Sequence, residues 1–223
     1  MQGVIRCGLL AGCLVACNGT SPATPDSGSG AQDAPAGPAG LHVKWASNPE
    51  TWPGQLDDGF TLDTATFIFD NLKVIGDASA GDATSKSLFQ IRWDHDHTPD
   101  PIDFPDAPPG VYSKVSFELD GHVVESSYDL RGHVTVAGTL HPFEVEDRNE
   151  LPLSLQCDRT LAPGGSVTIT VLANFTDALE GVDWSLVRQD DGGELQLDTS
   201  DPQMPAFRDK FSQGFAVDNS GPN

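Results

Sequence analysis

The sequence predicts an all-β fold, an antiparallel β-sandwich with a short C-terminal helix. Three observations predict it. Apolar and polar residues alternate at period two over two long runs. Further runs rich in β-branched and aromatic residues recur between clusters of Gly, Pro, Asp and Asn. Helical spacing is confined to two short stretches.

Taken in chain order, the first strand candidates are Leu41–Ala46, Thr64–Ile75 and Leu88–Trp93. The segment Pro108-Pro109-Gly110 then suits a type II turn, because proline fixes φ at the second position and glycine accepts positive φ at the third. A strand follows at once. Val111, Ser113, Val115, Phe117 and Leu119 fall on one face of it, and Tyr112, Lys114, Ser116, Glu118 and Asp120 on the other. Ser127–Ala137, Leu140–Glu146 and Leu151–Cys157 continue the series. Pro163-Gly164-Gly165 opens the second clean run, in which Val167, Ile169, Val171, Ala173 and Phe175 share a face. Thr176–Leu179 has room for one helical turn, and Asp190-Asp191-Gly192-Gly193 reads as a hairpin tip. Pro205–Gly214 places Phe207, Lys210 and Phe211 at the spacing of a short terminal helix. Roughly seven or eight strands with such turns make a sandwich over residues 41–218.

Charge and cysteines narrow the class. The chain has 223 residues and a formal net charge of -21, so its surface repels nucleic-acid phosphates and anionic headgroups. The cysteines are Cys7, Cys13, Cys17 and Cys157, too few for a disulfide framework in the folded part. Cys157 sits in an apolar strand, where a buried, inert thiol is expected.

The first residues read as a secretory signal over 1–16. Arg6 precedes a short apolar run that is below the roughly 20 residues a bilayer span requires. Leu14-Val15-Ala16-Cys17 resembles the bacterial lipobox, which makes Cys17 the lipid acceptor. Leu10-Ala11-Gly12-Cys13 fits the same pattern, but cleavage there leaves an apolar core shorter than the usual range of about 7–15 residues. A plain signal or a buried first helix are the other readings. Acyl chains on Cys17 bury about 0.8 kcal/mol per CH₂ and anchor durably, so the membrane is the expected partner, through lipid alone. Asn18 after the acceptor, by resemblance to enteric sorting rules, points to the outer membrane. Residues 18–40 carry no aliphatic side chain larger than alanine and predict a disordered tether.

The order of a strand over Ala65–Val74, a variable loop, and then Pro108-Pro109-Gly110-Val111-Tyr112-Ser113-Lys114-Val115-Ser116-Phe117-Glu118-Leu119 resembles bacterial lipoproteins of uncharacterised role with transthyretin-like or immunoglobulin-like sandwiches. It covers about residues 41–175. The copper-associated MbnP-like lipoproteins share a similar Pro-Gly-x-Tyr strand start, here Pro109 to Tyr112. This chain departs from the copper group in lacking Asn-His and Met/Trp-rich stretches; its methionines are Met1 and Met204.

The densest polar cluster is Trp93-Asp94-His95-Asp96-His97, followed by Asp100, Asp103 and Asp106 among prolines. If the preceding strand continues through it, His95 and His97 share a face and could hold a divalent metal, with a third ligand from His122, His133 or His141. Asp94 and Asp96 are the accompanying oxygen candidates; the other reading is an exposed, turn-rich loop between strands. Pro99, Pro101 and Pro105 end strand pairing there, because proline donates no ladder hydrogen bond. A calcium loop of EF-hand type starting at Asp94 fails, finding Pro99 and Pro105 where glycine and glutamate belong. Zinc-protease, phosphate-loop and nucleophile-elbow motifs are missing from the sequence, and no carboxylate pair stands out as acid and base. The expectation is therefore a non-enzymatic envelope lipoprotein that binds or supports, without a cofactor; a metal-binding lipoprotein and a hydrolase without a recognisable motif are the alternatives.

Overall fold

A computed structural model describes residues 39–57, 59–78, 81–121 and 126–219. Cys17, the signal and all but the last two tether residues, 39 and 40, lie outside the described residues, as does His122. In chain order the strands are β1 (Gly40–Asn48), β2 (Gly54–Asp57), β3 (Phe60–Gly76), β4 (Ser85–Lys86), β5 (Phe89–Trp93), β6 (Ile102–Phe104), β7 (Gly110–Leu119), β8 (Tyr128–Val136), β9 (Thr139–Asp147), β10 (Leu151–Leu161) and β11 (Ser166–Asn174). The helix α1 (Thr176–Glu180) follows, then β12 (Arg188–Gln189), β13 (Leu195–Asp198), α2 (Met204–Gln213) and β14 (Phe215–Asp218). Neither helix is long and apolar enough to cross a membrane among the described residues.

Two sheets face each other. The smaller runs β14-β11-β1-β6, and the larger runs β10-β7-β3-β8-β9-β13-β12. Most neighbours are antiparallel, but β1 pairs with β11 in parallel, and β13 with β9. Parallel neighbours require a long crossover, and here the chain builds most of the larger sheet between β1 and β11.

The organising strand is β3. One of its edges carries β8 along the first half and β7 along the second. The opposite edge receives β2, β5 and β4 in turn. Register shifts at Leu62/Thr64 and Asp70/Lys73, the second at Asn71 with φ of 52°, let a single strand serve both partners.

Period-two burial holds as expected on β11, where Val167, Ile169, Val171 and Ala173 point inward. On β7 it changes phase. Val115, Phe117 and Leu119 are buried, but Val111 is exposed and Tyr112 is wholly buried. Ser113 is an extra residue against Ile75 and Gly76 of β3, and this bulge turns the start of the strand over. The turn before β7 also differs from expectation: its hydrogen bond runs from the Ala107 N–H to the Phe104 carbonyl, upstream of Pro109. The second turn is as expected. The Gly165 N–H donates to the Ala162 carbonyl, with Gly164 at φ of 70° in the position that demands it.

The interior is aromatic. Trp45 of β1 reaches across to Phe69 at 4.6 Å and Phe117 at 5.7 Å, joining the two sheets. Met204, Phe207 and Phe211 form the buried face of α2, and Phe211 lies 4.4 Å from Tyr128 and 5.3 Å from Phe215. Each such side chain removed from water stabilises by about 1.5–3 kcal/mol. The same helix is tied down by charge: Arg208 makes a two-pronged contact with the fully buried Asp147 at 2.7 and 3.0 Å, and the Tyr128 hydroxyl donates to Asp147 at 2.9 Å.

Candidate functional site at the open side of the sandwich

Strand β5 stops at Trp93, and Asp94 is the reason. Its Oδ1 accepts the N–H groups of Asp96 and His97, both at 2.8 Å, and meets the His97 Nδ1 at 2.7 Å. Its own N–H donates to the His97 carbonyl, and its Oδ2 takes the Arg92 Nε at 2.6 Å. Desolvation pushes this carboxyl up, but the His97 and Asp96 hydrogen bonds and the His97 and Arg92 charges outweigh it and hold the group at about 2.

This turn is the exposed loop and not the strand continuation over Trp93–His97. His95 and Asp96 project into solvent, while His97 folds back onto Asp94, so the two imidazoles do not share a strand face. The other described histidines have partners of their own. His133 pairs with Asp63 at 3.0 Å, His141 contacts Gln189 at 3.3 Å, and His42 meets Asp103 at 2.6 Å. Among the described residues no group of three or more His, Cys, Asp or Glu is placed to hold a metal ion. Cys157 is buried as expected; burial pushes its thiol up to about 11, and its Sγ donates to the Tyr112 carbonyl.

What the turn does create is an open strand edge. The Ile68 N–H donates to the Ser127 carbonyl, so Ile68 points its backbone groups toward β8. By alternation Ala65, Phe67 and Phe69 point theirs toward β5, where they face Trp93, Ile91 and Phe89. The N–H and C=O of Gln90 and Arg92 must then point away from β3. Neither residue meets another backbone group on that side among the described residues.

The segment beyond the turn faces this edge without pairing to it. A cleft of about 580 Å³ lies between Phe89–Arg92 on one wall and His97–Asp103 on the other. Consecutive residues of β5 line it, so it runs along the strand's edge rather than one face. Pro99 and Pro101 on the far wall carry no N–H to offer.

The smaller sheet has an open edge beside it. Strand β6 covers β1 only from Leu41 to Val43, which leaves the Trp45 and Ser47 side uncovered. A second cleft of about 400 Å³ begins at that edge, with Ser47, Glu50, Trp93 and Thr98, and extends over Ala46, Thr170, Leu172 and Asp218 of β1, β11 and β14. Thr98 lines both clefts. Trp52 stacks on Trp93 at 6.3 Å and donates its Nε1–H to the Ser47 hydroxyl. The Trp45 Nε1–H is buried with no hydrogen-bond partner among the described residues.

No protein-family model, no curated protein and no solved structure matches this chain. The sequence reading named the loop and its prolines, but missed the edge that they leave bare. The usable signal was Pro99-Asp100-Pro101 close after a strand, a spacing that puts two missing donors on one side of an extended segment.

Proposed function

We propose that the chain is a cell-envelope lipoprotein anchored through Cys17, whose β-sandwich is a non-enzymatic module that holds its ligand at the open side, around Thr98. One observation carries the reading of the site. Two strand edges, at Gln90 and Arg92 and at Trp45 and Ser47, are bare on the same side of the sandwich and flank a shared loop. Bare edges attract other chains, and proteins usually blunt them with charge, proline or a covering segment. Here the covering segment stands off behind prolines and leaves a groove. The lipobox-like Leu14-Val15-Ala16-Cys17 supports the address. The net charge of -21 speaks against nucleic acid as the ligand.

The test is photo-crosslinking in bacterial cells from the full, lipid-modified chain, with benzoylphenylalanine at position 98 or, as a control, at exposed Ser154 of β10. The reading expects a light-dependent adduct of discrete mass from position 98 alone, in the membrane fraction. Equal adducts from both positions, or none from position 98, contradict it.

A further inference from the structure

We propose that the ligand is an extended, basic peptide segment of a partner protein, added to β5 as a new strand. The inference rests on the open side being the ligand site, and it specifies the occupant. Gln90 and Arg92 present two N–H and two C=O groups along one line, at the two-residue repeat of about 6.8 Å that alternate residues of an extended chain match. Backbone pairing of this kind supplies affinity, and the side chains of alternate residues supply selection.

The cleft walls set that selection. Phe89, half-buried on β5, offers apolar surface to the cleft. The opposite wall, His97 to Asp103, carries two carboxylates, Asp100 and Asp103, and no lysine or arginine. Arg92 is neutralised by Asp94, and Lys86 is the remaining cation of the cleft. Asp100 is exposed on the wall, and the Asp103 carboxylate is 57% exposed even while it holds His42. A peptide alternating apolar and basic residues satisfies both walls. The prolines at 99 and 101 keep the wall itself from taking the place of that peptide.

The experiment measures fluorescence anisotropy of the labelled peptide Val-Lys-Val-Lys-Val against the full chain carrying Cys17→Ser. Controls are Val-Glu-Val-Glu-Val and a lysine peptide N-methylated at alternate residues. The proposal expects the lysine peptide to bind at least tenfold more tightly than the glutamate peptide, and N-methylation in the pairing frame to abolish binding. Gln90→Pro removes an outward N–H and no bond to β3, so it should abolish binding with little change in melting temperature. Asp100→Lys, an exposed change, should reverse the preference between the two peptides. Equal binding of the lysine and glutamate peptides, or undiminished binding by folded Gln90→Pro, overturns the proposal. A dimer in sedimentation that Gln90→Pro dissolves also overturns it, by assigning the edge to a second copy. If no peptide binds while the adduct at position 98 persists, strand addition is wrong and the site is retained.

Discussion

Asp94 closes its loop by accepting from two backbone N–H groups and holding two side chains, whereas His95 touches little and His97 contributes one exposed contact. Asp94→Ala should therefore open the loop and speed proteolysis between residues 94 and 101. The double change His95→Ala/His97→Ala should leave unfolding free energy within about 0.5 kcal/mol, as for other exposed positions. Thermal melts with zinc and copper check the same pair. A metal-dependent rise in melting temperature that disappears in the double variant would restore the metal reading. Cys157 gives an independent check on the core. With its thiol pushed up to about 11 and its side chain buried, it should resist iodoacetamide at pH 8 until the protein is unfolded. Rapid alkylation of the peptide holding Cys157 in the native state would contradict the packing of β10 against β7.

The elements are held in place by a few contacts that can be broken singly. Asp147 at the end of β9 fixes α2 through Arg208. Asp147→Asn should cost about 3 kcal/mol, the lower end for removing one partner of a buried pair because Arg208 is partly exposed. Burial pushes the Asp147 carboxyl up, but the Arg208, Asn149 and Tyr128 hydrogen bonds and the Arg208 charge prevail and hold it below its ordinary value of 3.8. A depressed native value means stability that is fully present above pH 3.8 and lost as pH falls through the native value. Denaturant melts between pH 5 and about pH 2 should show that loss in the native protein and a flatter profile in Asp147→Asn. Gly132 of β8 lies where an added Cβ would come within 2.0 Å of the Thr61 carbonyl, so Gly132→Ala should destabilise by about 1–3 kcal/mol. The strands that were legible in the sequence are the long ones with a solvent face, such as β11, found to within a residue or two. The two helices were legible too, because Phe207 and Phe211 keep helical spacing. The strands β2, β4, β6 and β14 were not, since none exceeds four residues and so none shows a period; β12 and β13, equally short, were marked only by the hairpin tip at residues 190–193 that joins them. The second half of β10 was hidden for another reason. Arg159, a charged residue, occupies an inward position there, and its guanidinium donates to the Asp218 carbonyl at the end of β14. The bulge at Ser113 depends on what β3 does, and no local pattern announces it.

At the scale of the whole molecule, the proposed lipid anchor at Cys17 and the proposed site on the aromatic-cored sandwich are separately testable. Cys17→Ser should abolish labelling with radioactive palmitate and move the protein from the membrane to the soluble fraction; label that persists there but vanishes in Cys13→Ser would transfer the anchor to the earlier cysteine. The proposed ligand site was legible only in part. Pro99 and Pro101 foretold an end to pairing, but which edge they left bare required the third dimension. That edge is tested most directly by amide chemical-shift mapping on the ¹⁵N-labelled Cys17→Ser chain, titrated with Val-Lys-Val-Lys-Val. The account predicts saturable shifts at Gln90, Ile91, Arg92 and Thr98, with slowed exchange of the Gln90 and Arg92 amides and no change along the far edges at β10 and β12. Shifts spread over the acidic surface in proportion to charge, or absent from β5, would contradict it.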